Sequence, residues 1–277
     1  MPNYIKNRIE LIGDETQISE MLKKFSTHFE REPNRASDDS LIYKKVGEEY
    51  GVGWLNEDTG KFTKMDKSVV NEIPIDFQQD FNEAWIRFPD FEKVVPMPES
   101  LHINSGSNGD MGYSILHGKS ENCFMDMGEQ LRRFYERDIK ERICILEEGI
   151  AYEKNMIEYG FKTWYDWSIA NWGTKWNSSD CEKISENTFD FTTAWSGVPS
   201  IIEKISFQFP DITFLYYYSD ENTGYNCGIG KYQNGEIEFT QVENESEEAY
   251  ELYFTLHPDD VKNYKLVDGV YEYIEEE

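Results

Sequence analysis

The segment GFKTWYDWSIANWGTKWN, residues 160–177, is the part of the chain that most strongly specifies a fold. It contains four of the seven tryptophans, namely Trp164, Trp167, Trp172 and Trp176. Thr163 followed by Asp166 predicts a helix start, because the hydroxyl accepts from free amides and the carboxylate suits the positive end of the helix dipole. Gly173 predicts the left-handed residue that ends this helix. We expect the first two indoles and Ile169 to face inward, which makes the segment a rigid aromatic plug in the core.

The same segment also permits a second interpretation, in which it forms a binding site. Asn171, Thr174 and Lys175 would present polar groups above an aromatic floor made by Trp172 and Trp176. The two interpretations differ in whether the indoles are buried or exposed, and the sequence leaves both open.

Four stretches of this chain resemble one known family. They are MPNYIKNRIELIG (1–13), FEKVVPMPESL (91–101), GFKTWYDWSIANWGTKW (160–176) and FTTAWSGVPSIIEKISFQFPDITFLYYYSDE (191–221). These stretches are similar to the YubB-type ferredoxin-like family of bacteriophages, prophages and plasmids, whose members are mostly uncharacterised. The resemblance implies a fold and a mobile-element origin and does not imply an activity. Residues from about 30 to 90 and after about 243 have no counterpart in it.

The residue pattern predicts an α+β protein with a ferredoxin-like antiparallel sheet, a helical insertion and an acidic C-terminal appendage. We expect strands over 4–12, 189–195 and 212–219, helices over 15–29 and 200–209, and a hairpin around Asn234-Gly235. The predicted domains are a core of residues 1–29 and 91–242, an insertion subdomain of residues 30–90, and an appendage of residues 243–277.

Further elements follow from spacing and composition between these parts. Apolar residues predict one long helix over 125–159 whose stripe comprises Leu131, Phe134, Tyr135, Ile139, Ile143, Leu146, Ile150 and Ile157. Residues 77–88 have helical spacing, whereas the glycine-rich SGSNGDMG (105–112) and the polar 177–186 predict loops.

Charge is the most unusual feature of the composition. Twenty-seven basic residues against 54 acidic ones give a net charge of −27. Such a charge disfavours direct binding to nucleic acid or an anionic membrane, and favours fast association with a basic protein surface. Simple solubility is the alternative explanation.

The acids concentrate near the C-terminus of the chain. The predicted partner-binding residues are Glu243, Glu245, Glu247, Glu248, Glu251, Asp259 and Asp260. Five of these precede or open a predicted helix, where carboxylates also favour the helix dipole. They therefore serve either as a binding surface or only as helix-stabilising, solubilising charge.

The sequence offers no signature of catalysis, of a metal site or of a cofactor. The four cysteines are widely spaced and the four histidines form no nucleophile or metal-ligand pattern, so we predict no catalytic residue, no metal and no cofactor. The start of the chain has no signal-peptide shape and no stretch is apolar enough to cross a bilayer, which predicts the host cytoplasm.

We therefore expect a non-enzymatic protein of a phage or mobile element. It would bind and inhibit a host factor, in particular a nuclease-bearing anti-phage defence system, by occupying a basic groove as a DNA mimic. One alternative is a small-ligand or nucleotide-binding domain, or an enzyme, built on the Asn171–Trp176 segment. The other is a self-assembling structural protein, a homo-oligomer.

Overall fold

The computed structural model of the 277-residue chain describes residues 3–29, 41–46, 49–56, 61–64, 85–120, 124–267 and 270–274. The strands are β1 (Tyr4–Ile12), β2 (Thr27–Phe29), β3 (Leu41–Val46), β4 (Glu49–Asn56), β5 (Lys61–Lys64), β6 (Trp85–Arg87), β7 (Ser179–Lys183), β8 (Thr188–Ala194), β9 (Thr213–Asp220), β10 (Gly228–Gln233), β11 (Glu236–Gln241), β12 (Tyr264–Val267) and β13 (Val270–Tyr273). The helices are α1 (Glu15–Phe25), α2 (Phe91–Val94), α3 (Ser107–His117), α4 (Met127–Glu136), α5 (Ile139–Tyr159), α6 (Trp164–Trp172), α7 (Pro199–Gln208) and α8 (Glu247–Leu256). None of the helices in these ranges is long and apolar enough to cross a membrane.

The chain divides into two compact units. The first comprises Met1–Phe25 with Phe88–Glu277, and the second comprises Ser26–Arg87. In the second unit, β3, β4 and β5 form an antiparallel sheet, and β2 pairs with β6. The helix predicted over 77–88 is wrong at its end, because Trp85–Arg87 is a strand, and residues 77–84 lie outside the described residues. The second unit overlaps the predicted insertion subdomain, whose bounds stay a prediction.

A six-stranded antiparallel sheet in the order β11-β10-β9-β1-β8-β7 forms the centre of the first unit. Within it, the order β9-β1-β8-β7 and the helices α1 and α7 make the two interleaved β-α-β units of a ferredoxin-like fold. The β10–β11 hairpin extends this sheet beyond β9, and its turn at Asn234-Gly235 has the two positive φ angles, 50° and 79°, that such a turn requires. The predicted α+β, ferredoxin-like class is therefore confirmed.

The loop predicted over 177–186 is wrong, because Ser179–Lys183 is strand β7. Its side chains are mostly exposed, since β7 is the last strand of the sheet and only its β8 side is paired. An edge strand needs little apolar surface, so it lacks the alternation by which a strand is found in a sequence.

One face of the sheet packs against α1 and α7 to form the main core. Alternate residues of β1 point into it, as expected for a half-buried strand. The core residues of these three elements are Ile5, Ile9, Leu11, Ile18, Met21, Phe25, Ile201, Ile202 and Ile205.

A buried hydrogen-bond network within this core aligns the three strands β1, β8 and β9 with the start of α7. Asn7 of β1 donates to Thr193 at 2.9 Å and accepts from the Tyr216 hydroxyl at 2.6 Å. That hydroxyl also accepts from the Val198 amide at 2.7 Å, and burial raises the pKa of Tyr216 well above its ordinary value. Because unpaired buried polar groups are costly, this network fixes the position of α7 on the sheet.

The long helix predicted over 125–159 is two helices, α4 and α5, which meet at Asp138. The Asp138 carboxylate accepts from the amides of Lys140 and Glu141 at 2.8 and 2.9 Å and so starts a new helix. The predicted stripe is also mostly wrong, since Tyr135 and the stripe's four isoleucines in α5 are exposed. Of the predicted stripe only Phe134 is buried, whereas Ile145, Gly149, Tyr152 and Asn155 form the buried side of α5.

The glycine-rich segment predicted as a flexible loop is mostly helical, because Ser107–His117 is α3. Its glycines allow close packing against α5. A Cβ atom added at Gly112 would clash with the Ile145 carbonyl oxygen, and one added at Gly149 would clash with the Gly112 backbone. Glycine therefore serves here as a helix-packing surface.

Candidate functional site

The acidic segment is part of the ferredoxin-like unit, where α8 covers the sheet face opposite α1 and α7. Ser246 caps the helix by accepting from the Ala249 amide at 3.1 Å. The buried side of α8 consists of Ala249, Leu252, Tyr253, Phe254 and Leu256. Ala249 and Leu252 pack with Cys227, Val242 and Tyr217 in a second small core. This packing holds the opposite side of α8 towards solvent.

All five predicted glutamates are exposed, and together they form what we call the acidic surface. Its members are Glu243, Glu245, Glu247, Glu248 and Glu251. Residues 243–260 contain seven acids and neither lysine nor arginine. Asp259 and Asp260 lie beyond the C-terminal end of α8, whereas the acidic surface occupies the first half of the helix and the turn before it. Asp259 is exposed, whereas Asp260 is half-buried and accepts from the Tyr253 hydroxyl at 2.7 Å.

Backbone contacts fix the turn that carries the first acids. The Glu245 amide donates to the Gly224 carbonyl at 2.8 Å, and the Asn226 amide donates to the Asn244 side chain at 3.0 Å. Glu245 itself has a φ of 61°, a conformation that a side-chain-bearing residue adopts only when its surroundings hold it there. The acidic surface is therefore preorganised before any partner arrives.

A polar cluster at the C-terminal end of α8 attaches the helix to the sheet, and it is absent from the sequence-based prediction. Arg8 donates to both Asp190 carboxylate oxygens, at 2.7 and 2.8 Å, and to the Thr255 carbonyl at 3.2 Å. The Lys6 ammonium lies 3.6 Å from the same carboxylate. A cation at a helix C-terminus is favourable to the helix dipole, so Arg8 stabilises the position of α8. Its signal in the sequence is the polar alternation Lys6, Arg8, Glu10 along β1.

His257 completes this cluster. Its ring stacks on Tyr253 at 4.3 Å between centroids, and its Nε2 is buried and has no hydrogen-bond partner in the part of the chain that the structure describes. Burial lowers the pKa of His257 below its ordinary value, and the neighbouring Lys6 and Arg8 lower it further. The ring is therefore neutral near pH 7.

The aromatic segment around α6 is divided between core and surface. The predicted helix start and end are confirmed, since the Thr163 hydroxyl accepts from the Tyr165 amide and Gly173 has a φ of 82°. Trp167 and Trp172 are buried, whereas the expectation for Ile169 is wrong because that side chain is exposed. The buried side of α6 comprises Trp167, Ser168 and Trp172, and at 3.6 residues per turn Ile169 lies about 120° around the helix from the middle of that side.

Three of the five residues predicted to bind a ligand make their hydrogen bonds within the chain. The Trp172 indole donates to the Val95 carbonyl at 2.9 Å. Thr174 is buried and donates to the Ala194 carbonyl at 2.7 Å, and Asn171 donates to the Trp167 carbonyl at 2.9 Å. These contacts tie α6 to β8 and to the segment after α2, so they support the aromatic plug.

The other two predicted residues, Lys175 and Trp176, belong to an aromatic cluster at the surface. The Lys175 ammonium lies 4.3 Å from the Trp176 ring, 5.3 Å from Trp195 and 5.5 Å from Tyr165. These distances are typical of cation–π interactions. Trp195 and Tyr165 were not predicted as site residues, because Trp195 is brought there by β8 from a distant part of the sequence.

Within the described ranges, no group of three or more His, Cys, Asp or Glu side chains could hold a metal ion.

A comparison with protein-family models agrees with this fold. Residues 171–257 match a family model described as the ferredoxin-like domain in Api92-like protein. The match covers less than half of the chain and includes α8 with the acidic surface. It confirms the ferredoxin-like part of the resemblance and names Api92-like proteins in place of the YubB type.

A crystal structure of the protein api92 from Yersinia pseudotuberculosis is similar to this chain at 12% identity, with a TM-score of 0.34. The alignment covers 88% of this chain and 99% of that one. Among curated proteins, none matches this chain.

Proposed function

We propose that this chain is a non-enzymatic binding protein that presents its acidic surface to a basic protein. The observation that carries the proposal is that all five glutamates of Glu243–Glu251 are exposed on a helix that packs against the sheet and on a turn that hydrogen bonds position. A preorganised set of like charges speeds association with an oppositely charged partner and loses little entropy on binding. The charge of −27 adds a long-range field of the same sign.

In its finer form, the proposal is that the chain is a phage or mobile-element protein acting in the host cytoplasm. Within this proposal, the chain is a member of the YubB-type group that its sequence resembles. Its partner is a nucleic-acid-processing protein of the host, in particular a nuclease-bearing anti-phage defence system, and the chain inhibits it as a DNA mimic. A groove that binds phosphates is lined by lysine and arginine, and a ridge of glutamates is complementary to it.

The experiment measures association with the protein that co-purifies with the tagged chain from its bacterial host. Glu245, Glu247, Glu248 and Glu251 are changed together to lysine. A matched control reverses four exposed glutamates elsewhere, namely Glu20, Glu99, Glu182 and Glu186. Both variants change the net charge equally, so only the location of the reversed charge differs.

We expect the first variant to associate at least about tenfold more slowly at low salt, and the control to change far less. The difference should shrink at high salt, because the Debye length falls from ~8 Å at 0.15 M to ~3 Å at 1 M. Addition of duplex DNA should displace the chain from its partner. Equal slowing of association in both variants would contradict the proposal. So would a partner that binds duplex DNA and this chain at the same time.

A second candidate function is supported by the cluster of Lys175, Trp176, Trp195 and Tyr165. A half-buried lysine beside two exposed indole side chains fits a nucleotide, whose base stacks on aromatic rings and whose phosphate pairs with a cation. Titration with ATP, followed by tryptophan fluorescence, tests this function. A saturable change that Trp176→Ala removes supports it, and no change at millimolar ATP excludes it.

A further inference from the structure

Helix α5, Ile139–Tyr159, carries a second apolar side that no described residue covers. Its members Ile139, Ile143, Ile150 and Ile157 are between 44% and 77% exposed. At 3.6 residues per turn, this isoleucine stripe lies roughly 140° around the helix from Ile145 and Tyr152, which pack towards α3. The stripe therefore faces away from α3, the helix against which the other side of α5 packs.

The spacing of the stripe is that of a coiled coil. Ile143, Ile150 and Ile157 recur every seven residues, and Ile139 and Leu146 lie four residues before Ile143 and Ile150. In heptad terms the first three occupy a positions and the other two occupy d positions. A β-branched residue at a with leucine at d favours two parallel strands. The one leucine at d, Leu146, is half-buried and also packs against the cluster of Met111, Phe134 and Ile145. A stripe that only stabilised the fold would be buried, whereas this one is exposed.

We infer that the partner of this stripe is the α5 helix of a second copy of the chain, in a parallel two-helix coiled coil. The two helices would meet through their isoleucines at a positions, and each Arg142 at g would pair with Glu147 at e of the second copy. Both side chains stay on the rim of the seam, where such charge pairs set orientation.

Charge argues against the antiparallel arrangement. An antiparallel pair that aligns the same isoleucines brings Lys140 next to the second copy's Lys154, and Glu147 next to its own equivalent. Both are like-charge contacts, and the parallel pair has neither of them at its e and g positions. Glu153 occupies the remaining d position, where a parallel pair brings the two carboxylates towards each other, and His117 of α3 holds each carboxylate within its own chain at 2.7 Å.

The exposed area suits a dimer of moderate strength. The four isoleucines expose on the order of 400 Å² of apolar surface, which is the size of the largest patch on a typical monomer. A stable interface buries about 800 Å² on each partner, so the isoleucines supply about half of that area and the side chains beside the stripe would have to contribute the rest. Because packing against α3 already holds α5 as a helix, dimerisation pays no cost for helix formation.

The first test is sedimentation of the full chain across a concentration series. We expect a monomer–dimer equilibrium that Ile150→Lys weakens by roughly 100-fold, because it places a charge at the centre of the seam. Ile184→Lys is the control, since Ile184 is equally exposed, at 46%, and lies outside α5. A chain that is monomeric at every concentration, or a dimer that Ile150→Lys leaves intact, would overturn the inference.

The second test decides the orientation by oxidative cross-linking. Ile157→Cys lies near one end of the stripe, so two parallel helices bring the introduced thiols together, whereas the antiparallel pair separates them by about 27 Å. We expect a covalent dimer from Ile157→Cys and none from Ile184→Cys, with the wild-type chain and its exposed Cys144 as background. A solution dimer that Ile157→Cys does not cross-link would overturn the parallel arrangement.

A charge exchange tests the proposed pairing at the rim. Arg142→Glu should weaken the dimer about tenfold, and the double variant with Glu147→Arg should restore it. If the double variant is as weak as Arg142→Glu alone, the two residues do not pair and the inferred register is wrong.

Discussion

Replacement of Trp172 by alanine tests whether the tryptophan segment is core or binding site. The side chain is 4% exposed, and its ring packs against Trp167 at 5.4 Å and Phe91 at 6.0 Å. Its indole also donates to the Val95 carbonyl at 2.9 Å. All three contacts are lost in Trp172→Ala.

The expected cost follows from this burial. An indole buries on the order of 200 Å², which at ~25 cal/mol per Å² corresponds to roughly 5 kcal/mol before relaxation. Measured tryptophan-to-alanine changes in cores cost about 3–5 kcal/mol, and the abandoned Val95 carbonyl adds about 1 kcal/mol. We therefore expect Trp172→Ala to lower the free energy of unfolding by about 3–5 kcal/mol. Trp172→Phe should cost less, because it keeps an aromatic ring and loses only part of the contact and the hydrogen bond.

Trp176→Ala is the matched control, since Trp176 lies in the same segment and is 40% exposed. It loses mainly the contact with the Lys175 ammonium, worth about 0.5–1 kcal/mol at an exposed site. The assay is urea unfolding followed by far-ultraviolet circular dichroism, in which the midpoint and slope give the free energy. The aromatic-plug assignment fails if Trp172→Ala unfolds at the wild-type midpoint. It also fails if Trp176→Ala lowers the free energy of unfolding as much as Trp172→Ala does.

Three further predictions concern charge. Asp190→Asn should destabilise the fold by roughly 3–5 kcal/mol in urea unfolding, because it leaves Arg8 and Lys6 beside a neutral, buried amide; a change below 1 kcal/mol would mean that this pair does not hold α8. Burial lowers the pKa of His257, so the unfolded chain binds a proton that the folded chain excludes, and stability should fall as pH decreases through about 6.5. His257→Gln should flatten the dependence of the melting temperature on pH between about 7 and 5, and an unchanged slope would contradict this. Finally, the chain should bind neither duplex nor single-stranded DNA at physiological salt, and micromolar binding in a fluorescence titration would refute the DNA-mimic proposal.

Local signals in the sequence determined the elements whose structure depends on near neighbours. The cap at Thr163, the left-handed Gly173 and the Asn234-Gly235 turn are set by backbone geometry within a few residues. The alternation in β1 likewise identified a strand with one buried face. The exposure of the five glutamates was implicit in their charge, because a cluster of unpaired carboxylates is too costly to bury.

Pairings between residues far apart in sequence were decided by the tertiary structure alone. The pairing of Arg8 with Asp190 joins residues far apart in sequence, and the cluster around Lys175 needs Trp195 from β8. Strand β7 exists because β8 offers it a partner, although its own residues carry no apolar pattern.

Helix α5 illustrates the physical reason. Its sequence contains two apolar sides, and the pattern of large side chains favoured the isoleucine stripe as the buried one. The structure buries the other side, because Gly149 and Gly112 have no side chains and let the backbones of α5 and α3 approach closely. A hydrophobic pattern weighs large residues and gives glycine no weight, whereas packing depends on how closely two surfaces fit. The sequence therefore determined that α5 is a helix, and only the contact with α3 decided which of its sides is buried.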